Sequence, residues 1–563
     1  MRLSALISDG MVLQRDKENY IWGSECAPDS VVEVTIDGKQ SVCNADKEGR
    51  FKATVPAVKV GGPYEIKIKA TGADGNSEAK SISNVMCGDV FLLAGQSNIE
   101  IPLCRCLDLH GEEISRMNLP SVHYFEVVKE YAFGEPVEEL YEGNWQEATQ
   151  ENLYPMSALG VFFAQYHMEN TGVPVGLIQT GVGGTHIESY LSEERVISVG
   201  KLLREEALKR GEDISKCDCN KNDSCKVCYE NQLKMDKDKA WVEKTSADEV
   251  KAQLDWTEKL NSKDIGLKEH WESKTSLYEE GEEVRYVNAP GRWEDLTENK
   301  ELETLRGSVW VLKTVDIPES FVGKDVKLYL GTLVDSDDTY VNGIKVGETL
   351  YRYPPRRYMI PAGVLHAGLN TITVRIVANA RSGGFVPEMP YYLALGDEKI
   401  SLEGKWQFRI GGTTYSEKDG CYEEFEDITF FTWKPTAQYN RMVYPLKNLR
   451  FSAVIFYQGE SNCTHAWEYE YLMIEMVDCL RELFNDDLAF GFVELPMFGG
   501  EDSHGDTTEW DNLRLAQERA AARISNSTIA DIYDLGFTYE LHPQTKKEAA
   551  KRLYDKMKEL MSW

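Results

Sequence analysis

The sequence predicts an α/β protein built on a parallel sheet, with an antiparallel β segment at its start and an all-β module inserted in its middle. Three observations carry this expectation. Four short apolar runs, in DVFLLAGQSN, GVPVGLIQTGVGGT, SAVIFYQGESN and DDLAFGFVELPMF, each end in a loop of small or polar residues. Strands apolar on both faces suit a parallel sheet covered by helices. By contrast, residues 1–86 and 283–411 alternate apolar and polar positions, the period of strands with one face in water.

Taken in order, residues 1–86 contain runs such as VVEVTIDG and YEIKIKA separated by Asp-Gly and Gly-Gly turns, and read as a small β-sandwich-like domain. Residues 87–282 open the parallel-sheet domain, with a polar, charged and mostly helical insertion at about 193–280. Residues 283–411 form the inserted β module. There SVWVLKTVDIP, KDVKLYLG, DTYVNGIKVG and NTITVRIVA alternate, and the Asn342-Gly343 pair predicts a two-residue hairpin. Residues 412–563 complete the α/β domain. Helices are expected near 158–170, 465–484, 510–524 and 544–561, the last with Ala549, Leu553, Met557 and Leu560 on one face.

Composition narrows the function. The chain has 563 residues, 42% hydrophobic and 28% charged, with 62 basic against 93 acidic residues and a net charge of −31. That field repels phosphate backbones and anionic membranes, so nucleic acid and membrane are not expected as partners. A small anionic substrate stays compatible, because a local site can oppose the global field. No apolar run approaches the roughly 20 residues of a membrane span. The opening MRLSALISDG lacks the apolar core of a signal peptide, so a cytoplasmic location is the expectation. Oligomeric state is not legible.

Most of the 12 cysteines sit singly in hydrophobic stretches and read as small buried hydrophobes. Cys217, Cys219, Cys225 and Cys228 differ, since they crowd into CDCNKNDSCKVC. Four thiolates at this spacing suit one tetrahedral zinc, which would be structural because no coordination position stays open. A reduced or disulfide-linked surface loop is the alternative.

In open parallel sheets, ligands sit beyond the carboxyl ends of the strands, which points to Ser97, Gly183, Gly184, Gln458 and Glu460. A serine nucleophile needs a general base and a place for negative charge. Among nine histidines, His542 stands out, on a loop before the last helix with Pro543 to set its direction.

GQSN at 95–98, GVGGTHIESY at 181–190, YQGESN at 457–462 and LHP at 541–543 together resemble the sialate O-acetylesterase family of the SGNH (GDSL-like) hydrolase superfamily. The opening LSALISDGMVLQRDK, GSVWVLKTVDIP, YRYPPRRYMIPAGVLHAGLN and GGF at 383–385 extend the likeness over nearly the whole chain outside the cysteine-bearing insertion. The resemblance implies an SGNH-type three-layer α/β/α hydrolase domain. It implies Ser97 as nucleophile and His542 as general base and then acid. The N–H groups of Ser97 and of Gly183 or its neighbour Gly184 would line the oxyanion hole, with the Gln458 amide as a third donor. Each pre-aimed donor contributes about 2.7–4 kcal/mol at the transition state. Asn98 and Glu460 are expected as supporting residues, Glu460 more structural than catalytic. His186 and Glu188 are pocket candidates. The superfamily places an aspartate three residues before the histidine, where this chain has Tyr539; Glu540 is preferred as the triad acid, with Asp531, Asp534 or a backbone carbonyl as alternatives.

The implied function is a serine carbohydrate esterase that removes O-acetyl groups through an acetyl-serine intermediate, with no catalytic cofactor. O-acetylated sialic acid is the substrate the resemblance implies, and acetylated xylan or another plant glycan the alternative. From another class comes a carbohydrate-binding protein with a vestigial site, because the β insert resembles jelly-roll or galactose-binding-like modules. A glycosidase using Glu460 and a second carboxylate is a weaker third reading. Arg514 and Gln517 are expected to brace the sheet, and Arg356 to pair with an acidic residue.

Overall fold

The computed structural model describes residues 1–211, 229–379, 382–499 and 507–563. The cysteine cluster at 217–228 lies outside the described residues. The chain divides into two compact units, Met1–Val242 with Phe430–Phe537 and His542–Trp563, and Glu243–Thr429 with Thr538–Leu541.

The first unit is organised by seven strands. These are β1 (Ser77–Gly95), β2 (Leu119–Glu126), β3 (Trp145–Ala148), β4 (Val175–Gln179), β5 (Ala453–Tyr457), β6 (Ala489–Val493) and β7 (Ser527–Ala530). Their order is β3-β2-β4-β1-β5-β6-β7, parallel throughout except for the antiparallel edge strand β3. β4, β5 and β6 are buried at every residue, which is why they read as unbroken apolar runs. Five helices matter for the site. They are α1 (Ser97–Glu100), α2 (Ala158–Thr171), α3 (Ala466–Phe484), α4 (Thr508–Arg523) and α5 (Lys546–Met561). α2 packs on α5 and α3 on α4. From β1 the chain moves to β2–β4 on one side and later to β5–β7 on the other. The carboxyl end of β1 is thus the point where strand order reverses, the place where open sheets bind ligands.

The N-terminal strands differ from the expected separate domain. β1 is 19 residues long, and its first half pairs antiparallel with Gly61–Thr71 while its second half is the central parallel strand. Val12–Gln14 lies parallel beside Met86–Gly88, and the Gln14 side chain accepts from the Val90 N–H at 2.8 Å. Val31–Ile36, Lys39–Asn44 and Gly61–Thr71 join the parallel strands in one continuous eleven-stranded sheet, while Arg2–Leu3, Tyr20–Ser24 and Phe51–Thr54 form a separate three-stranded antiparallel sheet. The boundary placed at residue 86 therefore falls inside a strand.

The second unit is a set of antiparallel sheets, the largest of six strands and the next of four. Its core gathers Trp293, Trp406, Phe385 and the inward residues of Gly307–Ile317 and Gly368–Ala378. Val341 faces Ile344 across Asn342 and Gly343, both at positive φ, which is the hairpin that pair calls for. Arg356 pairs with buried Asp337 at 2.7 Å. The unit starts at Glu243 and not at 283, because the helix Lys239–Lys263 runs into it and Asp264 receives bonds from Trp310 and Arg375. Among the described residues, no helix is long and apolar enough to cross a membrane.

Candidate active site

Ser97 sits two residues beyond β1, in the first turn of α1, at the strand-order reversal. Gly95 makes the close approach possible: at φ +135° it lies so near β5 that a Cβ would come within 2.0 Å of the Tyr457 carbonyl oxygen. The phenol of Tyr190 accepts from the Gly95 N–H at 2.9 Å and donates to the Gly95 carbonyl at 2.7 Å, so one fully buried side chain holds both backbone groups of the strand end. Ser97 is not the cap of α1; that position belongs to Gln96. Its hydroxyl is turned instead to His542, with 2.8 Å between Oγ and Nε2. These residues are 445 positions apart.

His542 is held well below the ordinary imidazole pKa, first by burial and then by the positive charges of Arg105 and Lys546. It is therefore neutral at pH 7 and able to accept the serine proton. Lys546, in the first turn of α5, donates to the Asn98 side-chain oxygen at 2.6 Å, and the Asn98 amide donates to Glu460 at 2.5 Å. Histidine loop, nucleophile turn and the loop after β5 are thereby tied together through Asn98. Glu460 is pushed up to about 7 by burial, which outweighs Asn98 and Lys546, and its second carboxylate oxygen has no partner among the described residues.

The loop after β4 lies against the nucleophile; a Cβ on Gly183 would be 3.6 Å from that of Ser97. The Gly183 N–H is taken by the Glu100 carboxylate at 2.6 Å, whose other oxygen accepts from Lys129 at 2.7 Å. Among the described residues, the N–H groups of Ser97 and Gly184 have no protein acceptor. Of the two glycines, Gly184 is the one whose donor stays available. Gly184 adopts φ +77°, and a Cβ there would run into the Trp433 ring at 2.0 Å.

Gln458 is placed differently from its expected role. It is fully buried, and its amide nitrogen donates to Asn462 at 2.7 Å and to Gln96 and Thr185 at 3.1 Å. Two N–H groups spread over three protein acceptors leave none for an oxyanion. Glu188 is likewise a buried bracket, accepting from Tyr229 at 2.9 Å and Asn462 at 3.0 Å, and it lines a small cavity together with His186. His186 is 8% exposed, with its ring 6.3 Å from that of Trp433. Gln517 and Arg514 brace the sheet by bonding the Gln458 and Leu495 carbonyls.

Asp534 is paired with Arg552, and Asp531 with Arg514 and the Tyr533 N–H. Tyr539 packs on the hydrophobic core of the second unit, and Glu540 belongs to the same short stretch, Thr538–Leu541. A histidine–carboxylate pair outside the site, His167 and Asp89 at 2.8 Å, sits at the amino end of the parallel part of β1, away from the serine. Among the described residues, no group of three or more histidine, cysteine or acidic side chains could hold a metal. Sequence reasoning missed Gln96, Glu100, Tyr190 and Lys546. Gln96 lies within the GQSN block and Lys546 four residues after His542, so both were within reach.

No family model matches the chain. The sialate O-acetylesterase of Mus musculus is 27% identical over 213 residues, 35% of this chain and 39% of its own length. That of Homo sapiens is 27% identical over 213 residues, 35% of this chain and 40% of its own. The match thus spans about 40% of these relatives, a narrower stretch than the resemblance implied. The crystal structure of a carbohydrate acetylesterase from Xanthomonas citri covers 100% of this chain and 75% of its own, at TM-score 0.54 and 19% identity. By sequence about a third of the chain is similar to sialate O-acetylesterases, and its structure is similar in fold to a carbohydrate acetylesterase.

Proposed function

We propose that the protein is a serine sugar O-acetylesterase of SGNH type. The observation that carries this is the 2.8 Å approach of Ser97 Oγ to His542 Nε2 at the carboxyl end of the central strand. Ser97 Oγ attacks the acetyl carbonyl carbon while His542 Nε2 takes its proton. Charge moves onto the carbonyl oxygen, where the Ser97 and Gly184 N–H groups donate to it. The C–O bond to the sugar then breaks, and His542 returns its proton to the leaving sugar oxygen. Water repeats the sequence on the acetyl-serine, giving acetate and free serine. Glu540, two residues before His542, is the proposed partner of Nδ1. Nucleophile, base and donors are all protein groups, so the route calls on no cofactor.

The relatives' name supports O-acetylated sialic acid as the substrate, with acetylated xylan the alternative in the same chemistry. The test is acetate release from O-acetylated sialic acid and from acetylated xylo-oligosaccharides. Activity on either that falls by about 10³ or more in Ser97→Ala is the expected result. Activity unchanged in Ser97→Ala would sink the mechanism; turnover of the xylo-oligosaccharide alone would replace sialic acid as substrate.

A further inference from the structure

The segment Phe430–Trp433 brings two stacked aromatic rings to the glycine loop, and the chemistry above does not use them. Phe431, the ring between them, is 3% exposed and anchors the turn among Tyr131, Phe133 and Trp241. With that ring inward, its neighbour Phe430 is turned out and is 46% exposed. Phe430 does not stand alone: it stacks on Trp433 with ring centres 4.2 Å apart and planes at 21°. Trp433 in turn is fixed to the site, since its indole N–H donates to the Gly183 carbonyl at 2.6 Å and its ring fills the space under Gly184. The Ser189 hydroxyl holds the Thr432 carbonyl at 2.9 Å, so the turn is bonded to the loop on both sides. From Ser97 the path outward runs through the glycine loop to Trp433 and then to Phe430.

We propose that Phe430, supported by Trp433, is a platform on which the pyranose ring of the acetylated sugar stacks, holding its ester over Ser97. The inference rests on the sugar esterase reading and extends it to how the leaving sugar is recognised. An isolated exposed phenylalanine would need no explanation. A flat, pre-stacked pair built onto the backbone of the candidate oxyanion loop is different, because its rings lose no freedom when a ligand arrives. The C–H face of a pyranose is the part of a sugar that an aromatic face can desolvate, leaving the hydroxyls and ester free for polar partners. A small acyclic acetate has no such face.

The test measures kcat and KM on the acetylated sugar that the wild type turns over, O-acetylated sialic acid or acetylated xylo-oligosaccharide, and on ethyl acetate, following acetate release. In Phe430→Ala, kcat/KM for the sugar is expected to fall about tenfold, about 1.4 kcal/mol, carried by KM. The ratio of sugar to ethyl acetate efficiency should fall by the same factor, and Phe430→Tyr should restore it. A ratio unchanged in Phe430→Ala, or one that Phe430→Tyr fails to restore, overturns the platform. If the wild type releases no acetate from any sugar, the esterase reading has failed and binding decides instead. Weaker titration of the deacetylated xylo-oligosaccharide into Phe430→Ala than into wild type then supports the platform, and equal binding overturns it.

Discussion

His542 owes its reactivity to an environment that resists a positive charge. It is half-buried where water solvates it poorly, and Arg105 and Lys546 repel a further cation, so the imidazole protonates only below the usual pKa of 6.5. A base must be unprotonated to work, and a depressed pKa moves the loss of the neutral form to lower pH. The acid limb of the kcat/KM profile is therefore expected below pH 6.5; a limb at 7 or above would contradict the assignment. Glu460 shows the opposite shift, up from 4.5 to about 7 by burial. Its folded form holds a proton that the unfolded chain loses from about pH 4.5 upward, so it costs stability as pH rises from about 4.5 to 7. Glu460→Gln keeps the shape and the acceptor for Asn98 without the charge. The variant should gain on the order of 3 kcal/mol over wild type at pH 8 and under about 1 kcal/mol at pH 5, read by denaturant unfolding at both. Equal gains at the two pH values would show that Glu460 does not titrate in this range.

At the level of elements, the site is an agreement among three loop ends and the first turn of α5. Lys546 holds that agreement, because its ammonium bonds Asn98 next to the nucleophile while standing one helical turn after the base. Replacing it with methionine removes the bond and one of the two charges that depress His542. Lys546→Met is expected to lower kcat by about ten- to a hundredfold and to move the acid limb up toward 6.5. Lys546→Arg should return the limb to its place, a readout that loss of packing alone would not give. Much of this site was legible in the sequence, since apolar strands ending in GQSN, GVGGT and YQGESN announce polar loops at one sheet edge. What stayed hidden depends on contacts across hundreds of residues. Gln458 reads as a free amide until Gln96, Thr185 and Asn462 are seen to claim its N–H groups. Gly183 reads as an open donor until Glu100 is found on it.

Across the whole molecule, sequence reasoning failed chiefly at the joints. Alternation in 31–70 correctly announces antiparallel strands, but it cannot reveal that residues 77–95 continue from an alternating half into a fully buried one without a break. That continuity makes residues 1–76 part of the first unit's folding. The Leu6 carbonyl accepts from the Trp145 indole at 3.0 Å, the Ala5 N–H donates to Leu140 at 2.7 Å, and Lys17 reaches the Phe451 carbonyl at 2.9 Å. At the amino end of the parallel part of β1, buried Asp89 is shared by Arg15 and His167, both at 2.8 Å. A chain begun at Ser77 would strip the pairing partner from half of β1, uncover Ile82 and Val85, and leave Asp89 without its arginine. With Arg15 a quarter exposed and His167 still on Asp89, losing the arginine costs about 1–3 kcal/mol, a sizeable share of the 5–15 kcal/mol that ordinarily stabilises a domain. Loss of the strand pairing adds to that, so the truncated protein is expected to be insoluble or to lack a cooperative melt and acetate release. Arg15→Met in the full chain, which removes only the charge, should fold with a lowered melting temperature and keep its activity, because Ser97 and His542 lie at the other end of the strand. A truncated chain that melts and turns over like the full one would mean that the N-terminal strands are a separable domain.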